Sequence, residues 1–165
     1  MPTKKIAYLG LLVALAFVFS YVEVLIPVNL GIPGAKLGLA NLVIMVALYL
    51  LGDKNAFLLS MVRIVLVGFT FGNLASMLYS LAGGILSFGV MVFAKKTKKL
   101  SIIGVSVLGG VFHNVGQIIV AMCVLETNSL IYYLPVLMIT GVVAGVLIGI
   151  LGGMVTKRIQ KGVQW

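Results

Sequence analysis

Acidic residues are almost missing from this sequence. Its 165 residues include three acids, Glu23, Asp53 and Glu126, against twelve Lys and Arg, one His and one Cys. A transfer enzyme that holds a diphosphate through Mg²⁺ needs paired carboxylates, and these three acids lie far apart in the chain. One His and one Cys exclude a Cys/His metal set, and Cys123 forms no disulfide within the chain. Neither a Walker loop nor a GxSxG elbow occurs. No catalysis is expected of this chain and no cofactor is called for; ATP hydrolysis, if coupled to it, would come from another subunit.

Charge of either sign is scarce as well. Charged residues make up 9% of the sequence and hydrophobic ones 62%, with a mean hydropathy of +1.25. A soluble domain carries roughly a quarter charged residues, so the outer surface here is read as facing lipid. The length suits one domain without a linker. The net charge of +9 does not point to nucleic acid, because the basic residues gather in short clusters between apolar runs. That is the placement of cytoplasmic loops.

Those runs fall at approximately 6–26, 37–51, 55–72, 74–94, 101–125 and 130–156, where about 20 residues cross the hydrocarbon. The sequence therefore predicts an all-α integral membrane protein, a six-transmembrane-helix bundle forming one membrane domain over 1–165. Lys4 and Lys5, Lys54, Lys95, Lys96, Lys98 and Lys99, and Lys157, Arg158 and Lys161 fall on one side. The positive-inside rule makes that side the cytoplasm, with both termini in it, in a multi-pass cell-membrane protein. Lys36 and Glu126 fall on the other side. Ala14-Leu15-Ala16 resembles a signal-peptide cleavage site, but the apolar run continues through Phe17 to Ile26, so a first span is expected instead. Gly52 is expected to stop the second helix and Asp53 to cap the third. Pro27, Gly31, Pro33 and Gly34 break the chain after the first. A tight turn at Gly72–Asn73 parts the third from the fourth.

Polar residues inside these runs are the candidates for function, since an ionisable group at mid-membrane costs about 2.5–3.5 kcal/mol and usually turns inward. In "GGVFHNVGQIIVA", Gly109 to Ala121, helical periodicity puts Ser106, Gly110, His113, Asn114, Gln117 and Ala121 within one arc of roughly 100°. Ser76, Tyr79, Ser80, Gly83 and Ser87 share a face of the fourth helix. Ser60, Arg63 and Thr70 share one of the third, with Arg63 about 12 Å from its start. Glu23 lies near the outer end of the first helix and Lys36 closes the loop beside it. Two readings compete for such residues. Ser, Asn and Gln bridge helices at about 0.6 kcal/mol each without any ligand, or together they line a binding site. Gly141, Gly145, Gly149 and Gly153 recur every four residues on the sixth helix, a pattern for close packing. Ala7, Gly10 and Ala14 form a shorter version on the first.

Three stretches, "IPGAKLGLANLVIMVALYLLG" (32–52), "LYSLAGGILSFGVM" (78–91) and "GVSVLGGVFHNVGQIIVA" (104–121), resemble the Gx transporter family, often labelled heptaprenyl diphosphate synthase component I. The similarity runs from about Ile6 to about Lys157. That family is similar, more loosely, to the substrate-binding S components of energy-coupling factor transporters. This second likeness implies six helices, termini inside, and a site in the outer half beneath the loop joining helices one and two. It also implies a membrane coupling subunit and two cytosolic ATPases as partners. S components present Ala-xxx-Ala on helix one to the coupling subunit; here Gly10-xxx-Ala14 stands in its place.

The sequence thus leads to a membrane substrate-binding subunit for uptake of a small anionic or neutral amphiphilic molecule. Its candidate binding residues are Glu23, Lys36, Asn41, Arg63, Tyr79, His113, Asn114 and Gln117, and its candidate docking residues Gly10 and Ala14. The alternative is a non-catalytic membrane accessory subunit linked to prenyl diphosphate, quinone or flavin metabolism, using Lys95 to Lys99 as a cytosolic contact. A stand-alone channel or secondary carrier is a third possibility.

Overall fold

A computed structural model describes residues 3–25 and 38–162. They form six α-helices: α1 (Thr3–Leu25), α2 (Leu39–Leu50), α3 (Asp53–Phe71), α4 (Leu74–Thr97), α5 (Ile102–Val124) and α6 (Leu134–Gly162). A 3-10 helix, Asn128–Tyr133, precedes α6. No strand occurs among the described residues. Five segments are long and apolar enough to cross a membrane, namely Ile6–Leu25, Asp53–Phe71, Leu74–Thr97, Ile102–Val124 and Asn128–Lys161. Large apolar side chains such as Leu11, Phe69, Phe93 and Ile139 stand on the outside, as they do where the solvent is lipid.

The remaining helix, α2, has 12 residues, or about 18 Å at 1.5 Å per residue, short of the ~30 Å of hydrocarbon. It is also the most enclosed: Ala40, Val43, Ile44, Met45, Val46, Ala47 and Leu48 are buried. The core forms around it, with Ala16 of α1, Ala56 and Leu59 of α3, Phe88, Met91 and Ala94 of α4, Val105 of α5 and Ile148 of α6. Lipid tails are as apolar as these side chains, so close packing rather than escape from water holds the helices together. Neighbours run α1–α3–α4–α5–α6–α2 and back to α1, a closed ring in which α2 also touches α3.

Both ends of α2 are tied by side chains from elsewhere. At its N-terminus Glu23 of α1 accepts a hydrogen bond from the Leu39 N–H at 2.5 Å, placing an anion where the helix dipole is positive. At its C-terminus Lys95 of α4 donates to the Leu48 carbonyl and to Asp53 Oδ1, each at 2.8 Å, and lies over the Tyr49 ring. Asp53 is therefore not the cap of α3; Gly52 holds that position, and the Asp53 carboxylate is engaged by Lys95. Replacing Lys95 with methionine is expected to lower stability by about 1 kcal/mol, read as a lower melting temperature in detergent. Lys96→Met is expected to change nothing measurable, because its nitrogen stands 4.0 Å from Asp53 on a side chain 70% exposed.

Local chemistry also sets the other boundaries. Asn73 caps α4: its side chain accepts from the Ser76 N–H at 2.8 Å while Ser76 Oγ accepts from the Asn73 N–H at 2.9 Å, a reciprocal capping box. Helix α4 continues to Thr97, beyond the apolar run 74–94, because Lys95 and Lys96 sit in its last turn, where cations are favoured. Pro135 lies in the first turn of α6, the one part of a helix that tolerates it.

The α5–α6 seam is the closest in the bundle. A Cβ on Gly110 would collide with the Gly141 carbonyl oxygen, and one on Gly145 would lie 2.6 Å from the Val107 Cα. The glycine repeat of α6 thus serves internal packing against α5.

Candidate functional site

A cavity of about 170 Å³ opens inside the helix ring, and every helix lines it. Its polar wall comprises Ser20 and Glu23 of α1, Asn41 of α2, Arg63 of α3, Ser76 and Ser80 of α4, His113, Asn114 and Gln117 of α5, and Thr140 of α6. Its apolar wall is mainly α3 and α4: Ile64, Val67, Phe71 and Met77. The ring of Phe71 is itself held by Phe17 and Tyr21, each 5.2 Å away between centroids. Below lies a second space of about 30 Å³, which shares Asn41, Arg63, Gly110, His113 and Ile148 with the first. It reaches toward Ser60, Ser87 and Ser106, and one water needs roughly 10–15 Å³.

The α5 stripe reaches this cavity because α4 presents no side chain at Gly83. A Cβ there would lie 2.6 Å from the His113 carbonyl oxygen, 2.8 Å from Gln117 Cγ and 3.2 Å from His113 Cε1. Ser87 Oγ, one turn further along α4, donates to the Gly109 carbonyl at 2.8 Å. The three polar residues of the stripe do different things. Asn114 Nδ2 donates to the Leu137 carbonyl of α6 at 2.5 Å, and that carbonyl also accepts from Thr140 Oγ1 at 3.0 Å. His113 turns an edge of its ring toward Gly83. Gln117 makes no side-chain hydrogen bond among the described residues and borders the cavity.

Among the described residues, Arg63 is the cation that lines this chamber. Its Nη2 donates to Asn41 Oδ1 at 3.4 Å, longer than the usual 2.7–3.2 Å. Its Nε is buried without a hydrogen-bond partner among the described residues. Such an orphaned donor costs about 1–3 kcal/mol, and a guanidinium cannot escape by losing its proton. The ion pairs among the described residues join Asp53 to Lys95 and Lys96; Arg63 is in neither.

The structure brings six of the eight candidate binding residues to one cavity: Glu23, Asn41, Arg63, His113, Asn114 and Gln117. Glu23 has a structural task there, holding the start of α2. Tyr79 is not among the lining residues; Ser76 and Ser80, on the same side of α4, are. Lys36 lies outside the described residues. Gly10 and Ala14 are exposed on α1, with no atom within 4 Å of a Cβ built at Gly10. Two lining hydroxyls escaped the sequence reading. Ser20 precedes Glu23 by three residues and so shares its face, a usable signal; Thr140 is the lone hydroxyl beside Gly141 in an apolar run. Among the described residues no three His, Cys, Asp or Glu side chains stand where they could hold a metal.

Apolar helices of spanning length, packed around a chamber with one polar and one apolar wall, define a helical membrane protein with an internal cavity. The profile of the heptaprenyl diphosphate synthase component I family matches residues 12–155, and the chain belongs to that family. No curated protein and no solved structure matches it.

Proposed function

We propose that this protein is a membrane substrate-binding subunit, similar to an S component, that takes up a small anionic or neutral amphiphilic molecule and performs no chemistry on it. The observation that carries the proposal is the chamber itself: a cavity walled by all six helices, lined by Gln117 and by Arg63, whose Nε–H has no partner among the described residues. On this reading α2 completes six crossings with both termini in the cytoplasm. The exposed Gly10 and Ala14 form the face offered to a membrane coupling subunit, which two cytosolic ATPases drive. The family's description favours a second reading, a non-catalytic membrane component working beside a separate prenyl diphosphate synthase.

Native mass spectrometry of the purified protein is expected to show a bound small molecule, lost from Ser80→Phe, whose ring enters the cavity. An empty wild-type protein, or an adduct that survives in Ser80→Phe, would count against the proposal. Gly10→Leu and Ala14→Leu are expected to keep the adduct but fail to retain ATPases in a pull-down. Retention by both variants would remove the docking role. Single cysteines at Lys98 and Asn128 are expected to label from opposite faces of intact cells; labelling of both from outside would exclude six crossings.

A further inference from the structure

We propose that the ligand carries one compact anionic group, a carboxylate or phosphate, seated on Arg63, with an apolar remainder against Val67, Phe71 and Met77. The inference rests on the cavity being a ligand site and narrows what that site accepts. Nε–H and an Nη2–H of a guanidinium lie on one edge and point the same way, the edge that two oxygens of a carboxylate or phosphate engage together. On Arg63 the first has no partner among the described residues and Nη2 has a single contact, 3.4 Å long, to Asn41.

Glu23 does not fill this role. The ion pairs among the described residues do not join it to Arg63, on which its charge acts through space, and one of its oxygens accepts from the Leu39 N–H. A cation would meet the guanidinium with like charge, and a neutral group would leave the buried Nε–H edge without the charge-assisted pair of bonds it is shaped for. An anion removes both penalties, and the Gln117 amide can donate to it as well. The wall that continues along α3 from Arg63, with Met77 of α4, is apolar, and its Phe71 ring is held by Phe17 and Tyr21. The cavity volume of about 170 Å³ is close to that of a cavity that takes benzene, about 150 Å³. A single ring or a short branched chain therefore fits behind the anion.

The test uses protein in phosphatidylcholine nanodiscs and three probes that share one ring: benzoate, phenyl phosphate and the neutral isostere benzamide, each titrated calorimetrically. Benzoate and phenyl phosphate are expected to bind at least about tenfold more tightly than benzamide. Arg63→Gln is expected to abolish that preference. Arg63→Lys retains the cation without the fork, so it should keep a preference for the anions while binding phenyl phosphate more weakly than wild type. Equal affinity of wild type for benzoate and benzamide overturns the anion assignment. If Ser80→Phe still abolishes both, the cavity remains the ligand site. Benzoate binding untouched by Ser80→Phe, or no binding of any probe, overturns both the assignment and the reading beneath it. Phosphatidylglycerol added to the nanodisc should not compete with benzoate, because the anion arrives free from the aqueous side. Competition overturns that source and puts a lipid headgroup on Arg63.

Discussion

Gly110→Ala is expected to destabilise the protein by roughly 2–3 kcal/mol, the upper part of the range for overpacking a well-packed site. The added methyl group would meet the Gly141 carbonyl oxygen of α6. That atom is backbone inside a helix and cannot swing away as the end of a side chain can. Relief requires moving α6 bodily, which would also stretch the Asn114 bond to Leu137. Gly10→Ala supplies the comparison. Nothing lies within 4 Å of its new methyl group, and alanine is the better helix former by about 0.8–1.0 kcal/mol. Thermal unfolding of both variants in one detergent is expected to show a large drop for the first and none for the second. Equal melting temperatures would mean that the α5–α6 crossing is not held by backbone contact.

A second large effect separates two neighbours on α5. Gln117→Ala is expected to weaken ligand binding at least about tenfold, the equivalent of ~1.4 kcal/mol, and to leave the melting temperature almost unchanged. Its amide borders the cavity and bonds to no described side chain or carbonyl. Asn114→Ala is expected to do the reverse. Its amide ties α5 to the Leu137 carbonyl, and an interhelical bond of this kind contributes about 0.6 kcal/mol on average, up to ~1.7. Thr140 still satisfies that carbonyl, so the loss should stay near 1 kcal/mol. Affinity and melting temperature measured on both variants decide the matter. A stability loss without an affinity loss at Gln117 would remove it from the site.

The helices were legible because lipid imposes a simple demand on their outer faces, and the runs near 55–72 and 101–125 obey it. The α5 stripe was legible for a similar reason: helical periodicity assigns residues to a face. Periodicity does not say what the face meets. It put His113, Asn114 and Gln117 together but could not tell that Asn114 reaches α6 while Gln117 reaches empty space. It also grouped Tyr79 with Ser76 and Ser80, although an arc that wide has margins and Tyr79 falls beyond the cavity. Contacts between distant parts of the chain left no trace in the sequence. Glu23 meets the start of α2, and Arg63 meets Asn41 across 22 positions. Lys95 was indistinguishable from Lys96, Lys98 and Lys99 by charge alone, yet it alone bonds the end of α2. Asp53 was misassigned as a cap because the ion pair that engages it lies 42 positions away.

The glycine seam has a mechanical consequence. Two helices that touch backbone to backbone have no side-chain layer between them to shear or repack, so α5 and α6 behave as a single plank. Ser87 bolts α4 to the same plank through the Gly109 carbonyl. Widening or narrowing the chamber must then fall to α1, α2 and α3, whose inner contacts are made by flexible side chains such as Glu23, Asn41 and Arg63. The protein is thus a box with one stiff wall. Its adjustable side is the one that carries Gly10 and Ala14.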